Sequence, residues 1–217
     1  MSRIHLLRLI VAVSLAALSL TLLIWGITTP QRTVRRQVIQ PAQMQLADES
    51  SAAAVPETRL LTLEYPPSIR AGESDRLQMT VEVQQQAQAA GLPNVYETHQ
   101  VFAETHLDMG GINLQPSSTV SEPMRKGQPV TFFWSVHPGE TGHFQGTIWL
   151  YLRFIPKAGG PEIRRAISAQ TIEIESTSFL GLRSEAALPL SIWGIFLSAL
   201  LGFSFVVDGV KWLLKKR

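Results

Sequence analysis

The sequence predicts a mainly β protein: a single antiparallel sandwich of immunoglobulin-like type, flanked by N- and C-terminal transmembrane helices. Three observations predict it. Leu9–Ile27 and Ala186–Val207 are apolar runs without a charge, each close to the roughly 20 residues a helix needs to cross a hydrocarbon core. From Leu60 onward, apolar and polar residues alternate at the period of a strand. Pro and Gly punctuate these runs, and no stretch between the spans keeps a convincing helical period.

The expected organisation follows in chain order. Residues 1–8 are a cytoplasmic N-terminus, 9–29 the first transmembrane helix and 30–56 a stalk. Residues 57–178 are the sandwich, 179–185 a juxtamembrane connector, 186–207 the second transmembrane helix and 208–217 a basic cytoplasmic tail. The chain has 217 residues, which leaves room for one ordinary domain once two segments are assigned to lipid. The roughly 120 residues of the sandwich can bury a core without a covalent staple. Cysteine is absent, which excludes disulfides, thiolate metal sites and cysteine nucleophiles. A net charge of +2 gives no case for nucleic acid. The basic residues gather at membrane flanks instead: Arg32, Arg35 and Arg36, then Lys211, Lys215, Lys216 and Arg217.

The first span is expected to be an uncleaved anchor. It runs on to Trp25-Gly26-Ile27-Thr28-Thr29-Pro30, a poor match to the small-residue cleavage site of a signal peptide. Trp25 suits the headgroup level. The basic C-terminal tail, with Arg3 and Arg8, places both termini in the cytoplasm and residues 30–187 outside it, although Arg32, Arg35 and Arg36 oppose that orientation of the first span.

Gln31–Pro56 has Pro41, an Ala/Ser-rich stretch and no aromatic residue, so it is expected to be a stalk, with a short helix possible over Arg32–Gln40. Leu61, Leu63 and Tyr65 alternate up to Pro66-Pro67. Leu77, Met79, Val81 and Val83 share a face opposite Arg76, Gln78, Thr80 and Glu82. Gln84–Asn94 is a loop with room for a helical turn. A long strand is expected over Tyr96–Met109, with Val101, Ala103, Leu107 and Met109 inward, and Gly110-Gly111 ends it. Val130, Phe132, Trp134 and Val136 alternate up to Pro138. Pro138-Gly139-Glu140-Thr141-Gly142 is expected to turn a hairpin, returning through Phe144, Ile148, Leu150, Leu152 and Phe154. Gly159-Gly160-Pro161 leads to a last strand ending in Ile172 and Ile174. About seven strands with turns between them favour a sandwich, with Trp134 filling the space between sheets; a closed barrel is the alternative.

The stretch Gly127-Gln-Pro-Val-Thr-Phe-Phe-Trp-Ser-Val-His-Pro-Gly-Glu-Thr-Gly142, followed by Gly146-Thr-Ile-Trp-Leu-Tyr-Leu152, resembles a pattern in bacterial immunoglobulin-like ectodomains. With Phe179-Leu-Gly-Leu182 and the second span, residues 57–207 are similar to uncharacterised, membrane-anchored bacterial proteins of this build. The resemblance implies a fold and a location, and no chemistry.

Glu104, His106 and Asp108 lie two apart, so on a strand they share one face and could hold a divalent metal; a solvated polar face needs the same residue types. His137 and His143, with Glu140 between them, could meet across the expected hairpin, and His99 with Glu97 is a weaker pair. No Gly-x-Ser-x-Gly elbow and no phosphate-cradling glycine motif occurs. If Ile148, Leu150 and Leu152 point inward, then Trp149, Tyr151 and Arg153 point outward, with Phe133 beside them on the expected hairpin. That composition is typical of a protein-binding hot spot. In the second span, Gly194, Ser198 and Gly202 recur every four residues, the small-residue face on which helices pack closely; Asp208, Lys211 and Trp212 suit an interface anchor.

The expectation is therefore a non-enzymatic, membrane-anchored, extracytoplasmic sandwich that binds or scaffolds another protein. An extracytoplasmic metal- or ligand-sensing module is the alternative. No cofactor and no nucleic acid are expected.

Overall fold

Alternation at period 2 needs two apolar surfaces to meet, and an apolar helix needs lipid or another helix. The computed structural model, which describes residues 3–28, 31–48, 51–85, 93–179, 181–182 and 184–215, provides both in two separate units. One unit gathers Met1–Thr29, Arg70–Glu73 and Ser178–Arg217; the other holds Pro30–Ile69 and Ser74–Thr177.

In chain order the elements are α1 (Arg3–Ile27), β1 (Thr33–Ile39), a 3-10 turn (Pro41–Met44), β2 (Gln45–Asp48), β3 (Ser51–Ala54), β4 (Thr58–Tyr65), β5 (Ser68–Arg70) and β6 (Asp75–Gln85). Then come α2 (Val95–Thr98), β7 (His99–Met109), β8 (Asn113–Gln115), β9 (Val120–Pro123), β10 (Val130–His137), β11 (Gly142–Pro156), β12 (Ile163–Thr177) and α3 (Ser184–Lys215).

In the helical unit, α1 and α3 run antiparallel: Gly26 lies against Leu188, and Ser19 against Gly194. The buried positions form narrow stripes of mostly small residues, Ala12, Ser19 and Leu22 on α1, and Ala187, Ser191, Gly194 and Ser198 on α3. The hydroxyls of Ser191 and Ser198 donate to the carbonyls of Leu188 and Ile195, both at 2.7 Å, so each is satisfied within its own helix. Much of the remaining described surface is apolar, although Arg8, Ser14 and Thr21 are also exposed. Leu7, Ile10, Ile24, Trp193, Phe196 and Phe203 are all exposed. A helix pair with so many large apolar side chains on its outside suits hydrocarbon rather than water. Two segments, Leu6–Ile27 and Ala186–Phe203, are long and apolar enough to cross a membrane, which fits a two-pass membrane protein.

The other unit is an antiparallel sandwich of two five-stranded sheets, with a small β2–β3 ribbon. The sheet orders are β1-β4-β6-β10-β8 and β5-β12-β11-β7-β9. Taking β4, β6, β7, β10, β11 and β12 as A, B, C, E, F and G, the first sheet has the order A-B-E and the second G-F-C. This is the immunoglobulin-like arrangement. The core is the set that alternation predicts. Leu61, Leu63, Leu77, Met79, Phe132, Trp134 and Val136 face Val101, Ala103, Leu107, Ile148, Leu150, Leu152, Phe154, Ile172 and Ile174. Trp134 is 1% exposed and stands between the sheets.

Three expectations are corrected. The connector Pro138–Gly142 does not turn a hairpin: β10 pairs with β6 and β8, whereas β11 pairs with β12 and β7. It passes from one sheet to the other, because Pro and Gly bend a chain without deciding which strand its continuation joins. The true hairpin is β11–β12.

Residues 30–56, expected as a stalk with a possible helix, instead contribute β1, the 3-10 turn and the β2–β3 ribbon. β1 pairs along its length with β4, from Thr33↔Tyr65 to Ile39↔Arg59. An edge strand takes its stabilisation from main-chain bonds, so it needs few apolar side chains. Gln37 adds bonds from Ser168 (2.7 Å) and Gln170 (3.0 Å), and Arg35 donates to the carbonyl of Thr171 at 2.7 Å. Ala53, Ala54 and Val55 are buried beside Met44 and Leu46.

The strand expected from Tyr96 begins at His99, because Asn94 caps a helical turn by accepting the Tyr96 N–H at 3.1 Å. Residues 86–92 of the expected Gln84–Asn94 loop lie outside the described residues.

Candidate functional site

Strand alternation puts one set of β7, β11 and β12 side chains in the core and the other on the outer face of the second sheet. Register decides who meets whom on that face. Opposite β7, Trp149 pairs with His106, Tyr151 with Glu104 and Arg153 with Phe102. Opposite β12, Tyr151 pairs with Ala166 and Arg153 with Arg164, after a bulge at Leu150/Tyr151 shifts the register. The carboxylate–histidine set and the aromatic set, two separate candidates in the sequence, therefore stand side by side.

The aromatic rings are ordered by cations. Trp149 and Tyr151 stack with centroids 6.0 Å apart and planes 16° from parallel. The Arg164 guanidinium lies over the Tyr151 ring, 3.8 Å from its centroid, and Arg153 lies over Phe102 at 5.3 Å. Both arginines also serve Glu104. Its carboxylate, 7% exposed as a residue, is 2.5 Å from Arg164 Nη2 and 3.9 Å from Arg153 Nε, which lies 3.6 Å from Glu162. A carboxylate removed from water needs such partners. The guanidinium groups gain π-faces as well as charge.

The metal reading of Glu104, His106 and Asp108 is not favoured by this geometry. The three share a face as the spacing requires, yet Glu104 is engaged by two arginines whose charge opposes a cation, and Asp108 is exposed. His106 Nδ1 is buried without a hydrogen-bond partner. Among the described residues no group of three or more His, Asp or Glu is placed to hold a metal ion. His137 and His143 stand on strands of different sheets and do not meet; His137 Nδ1 lies 3.1 Å from Ser74 Oγ, and Glu140 is exposed on the connector. His99 Nδ1 lies 2.8 Å from Thr98 Oγ1, and Glu97 accepts from Asn94 at 3.5 Å.

Of the four residues expected as a hot spot, Trp149, Tyr151 and Arg153 are brought together. Phe133 is not. It sits on the outer face of the opposite sheet, 46% exposed, with Arg76 over its ring at 5.0 Å. Sequence reasoning missed Phe102 and Arg164. Phe102 alternates with Val101 and Ala103 and could have been assigned outward; Arg164 reaches Tyr151 only through the bulge, which leaves no sequence signal.

Of the helix-packing set, Gly194 and Ser198 are buried against α1's side of the pair. A Cβ at Gly194 would lie 2.0 Å from Ser19 Oγ, whereas one at Gly202 would meet nothing within 4 Å. Asp208, Lys211 and Trp212 lie on α3, and their side chains fall outside the described residues.

A second cluster was not anticipated. Arg59, fully buried, is ion-paired with buried Glu57. Arg59 also donates to the carbonyls of Gln128 (2.7 Å) and Arg125 (2.9 Å), and Glu57 accepts the Gly127 N–H and the Tyr96 hydroxyl, both at 3.2 Å. Burial pushes the Tyr96 hydroxyl above its ordinary pKa, with Glu57 adding to the rise and Arg59 opposing it. The network ties the start of β4 to the loop before β10.

No family model matches the sequence, and no curated protein matches it. Solved structures similar to this chain include one of the human seminal-plasma complex between zinc 2-glycoprotein and prolactin inducible protein (15% identity, 52% of this chain, 88% of that one, TM-score 0.33). Another is the ASH/PapD-like domain of human CEP192 (9% identity, 62% and 92% covered, TM-score 0.33). A third is AggA, the major subunit of aggregative adherence fimbriae type I from Escherichia coli (11% identity, 69% and 98% covered, TM-score 0.29). Likeness at that level says nothing of what this chain does, and its fold rests on its own strand order.

Proposed function

We propose that this two-pass membrane protein is non-enzymatic, of bacterial type, and uses its sandwich outside the cytoplasm to bind or scaffold another protein. The outer face of β7, β11 and β12 is the binding surface. One observation carries this reading: Arg164, Tyr151 and Trp149 form a ladder of stacked groups on an open sheet face, with Arg153 on Phe102 beside it. Tryptophan, tyrosine and arginine are the residues that dominate binding energy at protein interfaces. Here they are held before any partner arrives, which lowers the entropy lost on association.

The test is a photo-crosslinking amino acid placed at position 149 or at Phe133 in native membranes. Position 149 should give one adduct of defined size, which Tyr151→Ala reduces at least tenfold without loss of β circular dichroism. Equal adducts from both positions, or none from position 149, contradict the reading.

A further inference from the structure

At one end of the sandwich, α2, the start of β7, the end of β9 and the β11–β12 turn line an open cavity of about 350 Å³. Its apolar lining comes from Val101, Phe102, Pro123 and Met124, with Tyr96 and Gln100 beside them. Its rim is basic: Arg125, Lys126 and Lys157, with His99 beside them. No carboxylate is among the described residues that line it.

The backbone that carries these cations is fixed. Arg59 holds the carbonyls of Arg125 and Gln128 from beneath, and Glu57 accepts the Gly127 N–H. The Met124 N–H donates to the Val101 carbonyl at 2.8 Å. Lys157 is held twice, by its N–H to the Thr98 carbonyl at 2.9 Å and by Nζ to the Tyr96 carbonyl at 2.8 Å. The charges themselves are unspent: the side chains of Arg125 and Lys126 make no hydrogen bond or ion pair with any described residue, and Lys157 has only a neutral carbonyl. A buried ion pair thus supports the backbone that carries unpaired positive charge beside apolar side chains.

We infer that this cavity binds a phosphate ester carried on a small apolar body. The volume falls within the range of small-molecule sites, about 300–1,000 Å³. Three cations exceed what one carboxylate neutralises, and charge-assisted bonds to phosphate oxygens suit both the planar arginine fork and the lysine point charges. The same chemistry is offered by a soluble phosphomonoester and by the headgroup of an anionic lipid.

Isothermal titration of the full chain in phosphatidylcholine nanodiscs separates these sources, with phenyl phosphate and dihexanoyl phosphatidylglycerol as probes. At least one should bind saturably, and Arg125→Gln/Lys126→Gln should weaken it tenfold or more, whereas Trp149→Ala should leave it unchanged. Binding of phenyl phosphate identifies a soluble ester; binding of the phosphatidylglycerol alone identifies a headgroup. Circular dichroism checks folding, and Lys126→Gln alone, at an exposed position, should still weaken binding severalfold. No saturable binding of either probe, or equal binding by wild type and variants, overturns the inference. Because Trp149 and Tyr151 do not line the cavity, its failure leaves the aromatic face untouched.

Discussion

Glu104 and Arg164 stand on β7 and β12, strands that are not neighbours, and their side chains meet across β11 at 2.5 Å. The contact passes over Tyr151, whose ring lies under the same guanidinium. One arginine thus neutralises an outward-facing carboxylate that is out of water and fixes the ring beside it.

Replacing Arg164 should therefore act on stability and on the aromatic face together. Arg164→Ala leaves Glu104 with Arg153 Nε at 3.9 Å as its ionic partner. The expected loss is about 1–3 kcal/mol, the cost of a desolvated group without its partner. Denaturant unfolding of the full chain in nanodiscs measures it. Adding Glu104→Gln should recover part of the loss, since the uncompensated charge is gone.

The approach of α1 to α3 is tightest where Gly194 faces Ser19. The chain is free of cysteine, so a Ser19→Cys/Gly194→Cys pair is the only thiol pair present. Mild oxidation should close an intramolecular disulfide, seen as a gel shift reversed by reductant, whereas Ser19→Cys/Gly202→Cys should not shift. Separately, Gly194→Ile should loosen the pair, because a branched side chain has no room at Ser19.

Arg59→Met should be among the most damaging single changes in the sandwich. It leaves the Glu57 carboxylate buried without its cation and frees the carbonyls of Arg125 and Gln128. Breaking a buried pair costs about 3–5 kcal/mol. Glu57→Gln/Arg59→Met should cost less than Arg59→Met alone, a comparison made by the same unfolding measurement.

The raised pKa of Tyr96 gives a signed pH dependence. In the unfolded chain its hydroxyl ionises near its ordinary value of about 10, while the folded protein keeps the proton. The contribution of Tyr96 is complete below that pH and is lost as pH rises above it, at up to about 1.4 kcal/mol per pH unit. Tyr96→Phe should flatten the fall in stability between pH 10 and the upper limit of the titration, when both proteins are unfolded in denaturant at each pH.

Much of this fold was legible in the sequence because its signals are local. The two charge-free runs and the inward sets on β4, β6, β7, β10 and β11 follow from composition and a period of two, and Trp134 lies between the sheets as the alternation requires. Pairing partners were not legible. Pro138–Gly142 has the turn chemistry of a hairpin, yet the choice between pairing back and crossing to the other sheet depends on strands far away in sequence. β1 was hidden because an edge strand needs backbone partners rather than apolar side chains. At the candidate site, Trp149, Tyr151 and Arg153 follow from alternation, whereas Phe133 was assigned to the wrong sheet and Arg164 depends on a bulge. Arg59 did leave a trace. It shares the inward face of β4 with Leu61, Leu63 and Tyr65, and a cation at such a position implies a buried partner, here Glu57.

The most direct test of the central claim is a map of sidedness by single cysteines in this cysteine-free chain. Ser118→Cys, exposed before β9, should react with a membrane-impermeant maleimide in intact cells. Ser2→Cys and Lys216→Cys should react only after lysis. Labelling of all three positions from one side, or release of the unmodified chain from vesicles by carbonate, would contradict a sandwich held outside the cytoplasm by two spanning helices.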